Sequence, residues 1–147
     1  MDLDVNLQKA VSLFKSGNLN EGEKICNDIK KNHPNNLINL NLLGIILFQK
    51  KEFSKSIKIF KESISLNFKQ AETHNNLGIV NLEIKNFLNA IEAFKNSIKI
   101  NPKFIEAYIN IGVALKQINK NQEAIEYWKE AIQLKKNNPR AYNNIGN

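Results

Sequence analysis

The fold is decided by residues 75–102, which read NNLGIVNLEIKNFLNAIEAFKNSIKINP. In this stretch Gly78 is followed twelve residues later by the small Ala90, then four residues later by the large Phe94, and the stretch ends at Pro102. The glycine recurs every 34 residues, at Gly44, Gly78, Gly112 and Gly146. Because self-similarity at a fixed period of this size is typical of repeat architectures, the sequence predicts a tandem array.

Alignment on these glycines divides the chain into four repeats and the start of a fifth. The repeats are 3–36, 37–70, 71–104 and 105–138, and the partial fifth is 139–147. Twelve residues after the glycine the side chain stays small (Ser56, Ala90, Ala124), and sixteen residues after it the side chain is a large aromatic (Phe60, Phe94, Trp128). We expect the whole of 1–147 to form a single domain.

Each repeat is predicted to be a pair of antiparallel helices. Apolar residues recur every three or four positions, as Ile91, Phe94 and Ile98 do, which is helical rather than strand periodicity. Within each repeat a short polar break separates the two predicted helices, at 16–18, 50–52, 85–86 and 119–121. Connections this short join antiparallel neighbours. Asn36 and Asn138 are suited to cap the helix that follows, and Pro139 suits a first helical position. The predicted fold class is therefore all-α.

The recurrent glycine stands inside a predicted helix, where it costs about 1 kcal/mol relative to alanine. We expect it to permit close approach of the paired helix, with the aromatic residue filling the space beside it. The first repeat departs from this pattern, with Ala10 for the glycine, Gly22 for the small residue and Cys26 for the aromatic. It is predicted to be an N-terminal cap. The sequence stops inside a predicted helix, so we expect a fragment of a longer array.

The Leu-Gly, Ala-x-x-x-Phe and Pro pattern resembles the tetratricopeptide repeat, and the third repeat matches it most fully. The resemblance extends over nearly the whole chain. It implies a right-handed α-solenoid, a superhelix of antiparallel hairpins in which the first helix of each repeat lines a concave face. It also implies a scaffold that binds a peptide or a helix of a partner protein in this concave groove, rather than an enzyme.

The concave face that this resemblance implies is apolar upstream and rich in asparagine downstream. Its candidate partner-binding residues are Val11, Phe14, Asn41, Leu42, Ile45, Phe48, Asn75, Asn76, Ile79, Asn110, Val113 and Asn144. The apolar strip suits an amphipathic helix or an apolar peptide. Asparagine carries donors and an acceptor, so a column of asparagines suits the backbone of an extended peptide. Compositional bias toward Asn is the alternative explanation of that column.

Two specialised functions of the family can be compared with these positions. Chaperone-binding members hold a terminal carboxylate with Lys, Arg and Asn, but the matching positions here are Leu7, Val11, Leu42, Glu72 and Asn76. No carboxylate clamp is predicted, because cations are missing there. The Asn-Asn-Leu-Gly of 75–78 and Asn-Asn-Ile-Gly of 143–146 resemble the arrays that precede the catalytic domain of O-linked N-acetylglucosamine transferases. The chain could therefore be the recognition arm of a larger, glycosyltransferase-like enzyme.

Charge and composition reduce the classes of partner that the sequence predicts. The net charge of +7 raises the question of nucleic acid, but only Arg140 among the 21 basic residues is arginine, the residue that phosphate recognition favours. A helical-repeat RNA binder is the least favoured alternative, because such repeats are typically a residue longer and read bases with variable polar pairs that this sequence lacks. The acidic N-terminus and the lack of an apolar segment of membrane-spanning length predict a cytoplasmic protein with no membrane partner.

No cofactor, metal site or catalytic group is predicted. His33, His74 and Cys26 stand at unrelated positions of the repeat, and Cys26 takes the place of a buried aromatic, so we expect a buried thiol. Self-association through the C-terminal repeat is a further expectation. It rests on partial exposure of Ile111, Leu115 and Ile118, which a following helix would otherwise cover.

Overall fold

The computed structural model describes residues 2–146, and every regular element in that range is an α-helix. The helices are α1 (Leu3–Lys15), α2 (Leu19–Asn32), α3 (Leu37–Gln49), α4 (Phe53–Leu66), α5 (Ala71–Glu83), α6 (Phe87–Ile100), α7 (Ile105–Gln117), α8 (Asn121–Leu134) and α9 (Pro139–Gly146). The predicted all-α fold of paired helices is confirmed. None of the helices described is both long enough and apolar enough to cross a bilayer.

The helices belong to two compact units, which divide between Phe68 and Lys69. Unit 1 contains α1 to α4, and unit 2 contains α5 to α9. Within each unit every helix packs against the next one along the chain, as expected for a helical repeat array. The expectation of a single domain over 1–147 stays a prediction.

The turn inside each hairpin ends the first helix in the same way. One residue of each turn has left-handed backbone, with φ of 78° at Gly17 and 61° at Lys51, Lys85 and Asn119. In the first turn the N–H of Asn18 then donates to the carbonyl of Leu13 at 2.9 Å, and the later turns repeat this bond. This is the Schellman arrangement, which satisfies carbonyls left over at a helix end. The predicted short breaks are confirmed, except that the third and fourth begin one residue earlier, at Ile84 and Ile118, and that Asn121 already begins α8.

Helix starts also follow the prediction. The Asn36 side chain accepts a hydrogen bond from the N–H of Asn39 at 2.8 Å, at the start of α3. The Asn138 side chain accepts one from the N–H of Ala141 at 3.2 Å, and Pro139 is the first residue of α9. Both asparagines therefore act as caps.

The recurrent glycine and the aromatic residue interlock, as predicted. A Cβ atom placed on Gly44 would lie 2.5 Å from Cε1 of Phe60, closer than packed carbon atoms can approach. Gly78 meets Phe94, and Gly112 meets Trp128, in the same way. The hydroxyl of Ser56 donates to the carbonyl of Gly44 at 2.7 Å, which further ties α4 to α3. The glycine is needed because the ring of the second helix lies directly against the backbone of the first.

The first hairpin reaches the same packing with different residues. Ala10 and Cys26 are fully buried in the core of unit 1. A Cβ atom on Gly22 would lie 3.3 Å from Cδ1 of Ile46 and 3.8 Å from the carbonyl of Ala10, so α2 also lies close to its neighbours. Burial, with a smaller contribution from the charge of Glu23, raises the pKa of the Cys26 thiol to about 12. The prediction of a buried cysteine is confirmed.

One expectation about the C-terminal repeat is wrong. Ile111 and Leu115 are buried rather than partly exposed, and only Ile118 remains half-buried. The reason is that Trp128 of α8 belongs to the same core cluster and Ile145 of α9 packs against it. Ile111 and Leu115 therefore offer no apolar surface for self-association.

Candidate partner-binding face

In unit 1 the predicted face lies on α1 and α3. Its half-buried members are Val11, Phe14, Asn41, Ile45 and Phe48. Leu42 is buried and belongs to the core cluster of unit 1. Phe48 lies against Phe53 of α4, with ring centroids 5.9 Å apart and ring planes tilted by 50°. Part of the predicted apolar strip is thus already occupied by packing inside unit 1.

A surface cavity of about 530 Å³ lies on this face. It is lined by Asp4, Leu7, Gln8, Val11, Ser12, Lys15 and Ile38. Ile38 is 67% exposed, although it is a large apolar residue on a regular helix. The sequence-based prediction missed Ile38, yet it stands three residues before Asn41 and so shares a face of α3 with it. That spacing is the signal that could have identified it.

The cavity carries opposite charges at its two ends. Asp4 lies in the first turn of α1 and Lys15 in its last turn, and both are exposed. Eleven residues of α-helix separate them, which corresponds to about 16 Å along the axis. Among the described residues neither side chain takes part in a salt bridge. The lining between them is mainly apolar, with Leu7, Val11 and Ile38.

In unit 2 two of the predicted asparagines bind each other. Asn75 of α5 and Asn110 of α7 are only 5% and 7% exposed. The side-chain amide of Asn110 donates to the side-chain oxygen of Asn75 at 3.1 Å. A buried hydrogen bond of this kind holds two hairpins of unit 2 together, because leaving either group unpaired would cost its desolvation. Little of either amide reaches solvent.

The remaining predicted residues of unit 2 are half-buried: Asn76, Ile79, Val113 and Asn144. Ile79 and Val113 pack against the core of unit 2. Asn144 borders a smaller cavity of about 200 Å³ that Lys116 and Trp128 also line. The exposed Glu72 and Glu106 stand in the first turns of α5 and α7.

Helices that pair by a glycine and an aromatic residue at a period of 34 residues define the class of this protein, an α-helical repeat scaffold. Family models agree with this class. One described as "Tetratricopeptide repeat" matches residues 39–70 and 71–104, and one described as "TPR repeat" matches residues 113–147. The chain belongs to the tetratricopeptide repeat family, whose members generally mediate protein–protein interactions.

Comparison with individual proteins supports the same fold. The chain is similar to a crystal structure of MamA, with 26% identity and a TM-score of 0.86, over 93% of this chain and 80% of that one. Its fold is also similar to that of pilF of Pseudomonas aeruginosa, with 17% identity and a TM-score of 0.89, over 97% of this chain and 65% of that one.

A curated relative, the UDP-N-acetylglucosamine–peptide N-acetylglucosaminyltransferase of Caenorhabditis elegans, is 43% identical over 63 residues. That match spans 43% of this chain and only 6% of the length of the relative. The similarity is consistent with the resemblance that the asparagine-containing motifs indicated.

Proposed function

We propose that this chain binds an apolar, helical segment of a partner protein on the α1–α3 face of unit 1. The observation that carries the proposal is the exposure of Ile38 beside a cavity that Leu7 and Val11 also line. When a partner covers a large apolar side chain that is exposed at the mouth of an apolar cavity, the burial stabilises the complex.

A helical occupant suits this face better than an extended one. An extended peptide needs partners for its backbone N–H and C=O groups, whereas a helix satisfies those groups itself. Only Gln8 and Ser12 bring uncharged polar side chains to the cavity. The asparagines that suited an extended peptide include Asn75 and Asn110, which are buried and bonded to each other. These contacts favour the helix of the two kinds of ligand that the sequence left open.

A carboxylate clamp is not part of the proposal. Of the positions that would carry it, Leu7 and Val11 line the apolar cavity and Leu42 is buried in the core. A terminal carboxylate at these positions would meet apolar side chains, and Lys15 alone, at one end of the cavity, does not make a clamp of several cations. We likewise propose neither nucleic acid nor a membrane as the partner, and we propose the cytoplasm as the compartment.

The second candidate function is a substrate-recognition arm of a larger, glycosyltransferase-like enzyme. The 43% identity over 63 residues to the nematode transferase favours it. In that case the partner bound by this chain would be a protein substrate, and the chemistry would belong to a different domain. The open reading frame of the full gene tests this candidate, because a catalytic domain downstream of these repeats would support it.

The experiment for the proposed face is a matched pair of substitutions. Ile38→Glu places a charge at the mouth of the cavity, and Leu88→Glu does the same at a 71%-exposed apolar residue on α6. Captured proteins are compared by mass spectrometry between wild type and the two variants, and the bound segment is then mapped and its helicity measured by circular dichroism.

We expect Ile38→Glu to lose the specific partner and Leu88→Glu to retain it, with both variants as helical as wild type. Retention of the partner by Ile38→Glu would contradict the proposed face. A substitution at Ile38 is easier to interpret than a double substitution of Ile45 and Phe48, because the ring of Phe48 also packs on Phe53 inside the chain.

A further inference from the structure

From the two charged ends of the cavity we infer that the bound helix lies antiparallel to α1, with an acidic residue near its N-terminus and a basic residue near its C-terminus. This inference rests on the proposed function and adds the chemistry and direction of the ligand. The acidic residue lies at Lys15, the basic residue lies at Asp4, and apolar residues between them contact Ile38 and the rest of the apolar lining.

The charges of the cavity specify which ends of the ligand are complementary. Asp4 attracts a cation and Lys15 attracts an anion, and the apolar side chains between them offer no competing charge. Because the two charges stand about 16 Å apart on α1, a helical ligand meets both when its own charges are about eleven residues apart. Apolar residues three and four positions apart along the ligand then face the cavity.

The direction follows from the helix dipole. Carboxylates stabilise the N-terminal turn of a helix and cations stabilise its C-terminal turn. A ligand helix is therefore most stable with its acidic residue first and its basic residue last. Since the anion pairs with Lys15, at the C-terminal end of α1, the ligand must run opposite to α1. Opposed dipoles of the two neighbouring helices add to the same preference.

Exposed ion pairs contribute modestly, so the affinity gained from the two charges of the ligand should also be modest. Two pairs at the rim of the cavity correspond to an affinity ratio of about tenfold between a ligand that carries both charges and one that carries neither. The ratio should shrink at high salt, since the charges are exposed and screening weakens them.

The test uses two labelled synthetic peptides of the same length. Both carry leucines at three- and four-residue spacing. One has glutamate first and lysine eleven residues later, and the other has glutamine at both positions. A spin label on the N-terminus of the charged peptide reports its direction, because it broadens the NMR signals of the residues of the chain that lie nearest to it. Fluorescence polarisation measures the affinity of each peptide for the full chain, for the double variant Asp4→Lys with Lys15→Glu, and for the milder variant Asp4→Asn with Lys15→Gln.

We expect wild type to prefer the charged peptide about tenfold and the neutral variant to lose most of that preference. The spin label should broaden signals near Lys15 in wild type and near position 4 in the charge-exchanged variant. The neutral variant keeps the test decisive if the charge-exchanged chain fails to fold. Equal affinity of wild type for both peptides, the same preference in wild type and the neutral variant, or a spin label closer to Asp4 than to Lys15 in wild type would overturn the inference alone. Failure of wild type to bind either peptide would instead count against the proposed function.

Discussion

The hairpin α1–α2 of unit 1 and the hairpin α5–α6 of unit 2 have helices of the same lengths, but different residues fill the crossing between those helices. In both, a 13-residue helix is followed by a 14-residue helix. In α5–α6 the backbone at Gly78 receives the ring of Phe94, whereas α1–α2 has a side chain on the first helix, Ala10, and only the small Cys26 in place of the ring. The difference teaches that a helix crossing can be filled either by one large ring from the second helix or by small side chains from both helices.

The two hairpins also differ in the polar contacts that tie them to their units. The second helix of the first hairpin, α2, is tied by ion pairs, with Lys30 2.7 Å from Glu62 and Glu23 2.5 Å from Lys50. The first helix of the other hairpin, α5, is tied by the buried amide of Asn75. Water, salt and pH reach the ion pairs, and they reach the buried amide much less. We therefore expect the two hairpins to respond differently to substitution and to solution conditions.

The largest effect is expected from a substitution that removes the aromatic contact of α5–α6. Phe94→Ala should lower the free energy of unfolding by about 3–5 kcal/mol, because the ring is fully buried and its loss leaves a cavity. Cys26→Ala, the equivalent change in α1–α2, removes a single buried sulfur and should cost far less. Chemical denaturation followed by circular dichroism measures both variants.

A double-mutant cycle is the control for this mechanism. Gly78→Ala should destabilise wild type, because the new methyl group meets the Phe94 ring, and should stabilise the Phe94→Ala background through helix propensity. The same cost of Gly78→Ala in both backgrounds would show that the ring is not what requires the glycine.

A smaller effect is expected from exchanging the turn residues of the two hairpins. Gly17 and Lys85 occupy equivalent left-handed positions, with φ of 78° and 61°. Lys85→Gly should raise the free energy of unfolding by about 1 kcal/mol and Gly17→Lys should lower it by about the same amount, since a side chain disfavours this conformation. Denaturant midpoints measure both changes, and shifts of the same sign in the two variants would contradict this explanation.

The smallest effect concerns Glu52, in the turn between α3 and α4, which shares Lys50 with Glu23 of the first hairpin. Hydrogen bonds from Lys55 and Lys50 lower the pKa of the Glu52 carboxyl below its ordinary value. A carboxyl whose pKa is lower in the folded chain stabilises the fold above its unfolded pKa, and this contribution is lost as the pH falls through the folded value.

Melting temperatures between pH 7 and pH 3 should therefore differ between wild type and Glu52→Gln at neutral pH and converge in acid. Added salt should reduce the difference at neutral pH, because the pairs are exposed to solvent. A difference between the two chains that persisted unchanged in acid would rule out the ion pairs as its cause.

The candidate site was predicted less completely than the fold. Spacing placed Val11 on a helix face, and the cavity includes it. Ile38 was missed because the predicted face of α3 began at Asn41, although the same spacing extends back to Ile38. The hydrogen bond between the side chains of Asn110 and Asn75 could not be predicted from the sequence. The two residues are far apart in the chain, and only the packing of α5 on α7 brings them together.

The sequence by itself determined the period, the paired helices, their caps and the glycine–aromatic contact, because each depends on residues within one repeat or on neighbouring positions of one helix. The tertiary structure alone decided which side chains remain exposed. It buried Leu42, Asn75 and the C-terminal Ile111, and it left Ile38 exposed between the charges of Asp4 and Lys15. The physical reason is that exposure depends on the neighbouring repeats, whose packing no single repeat specifies.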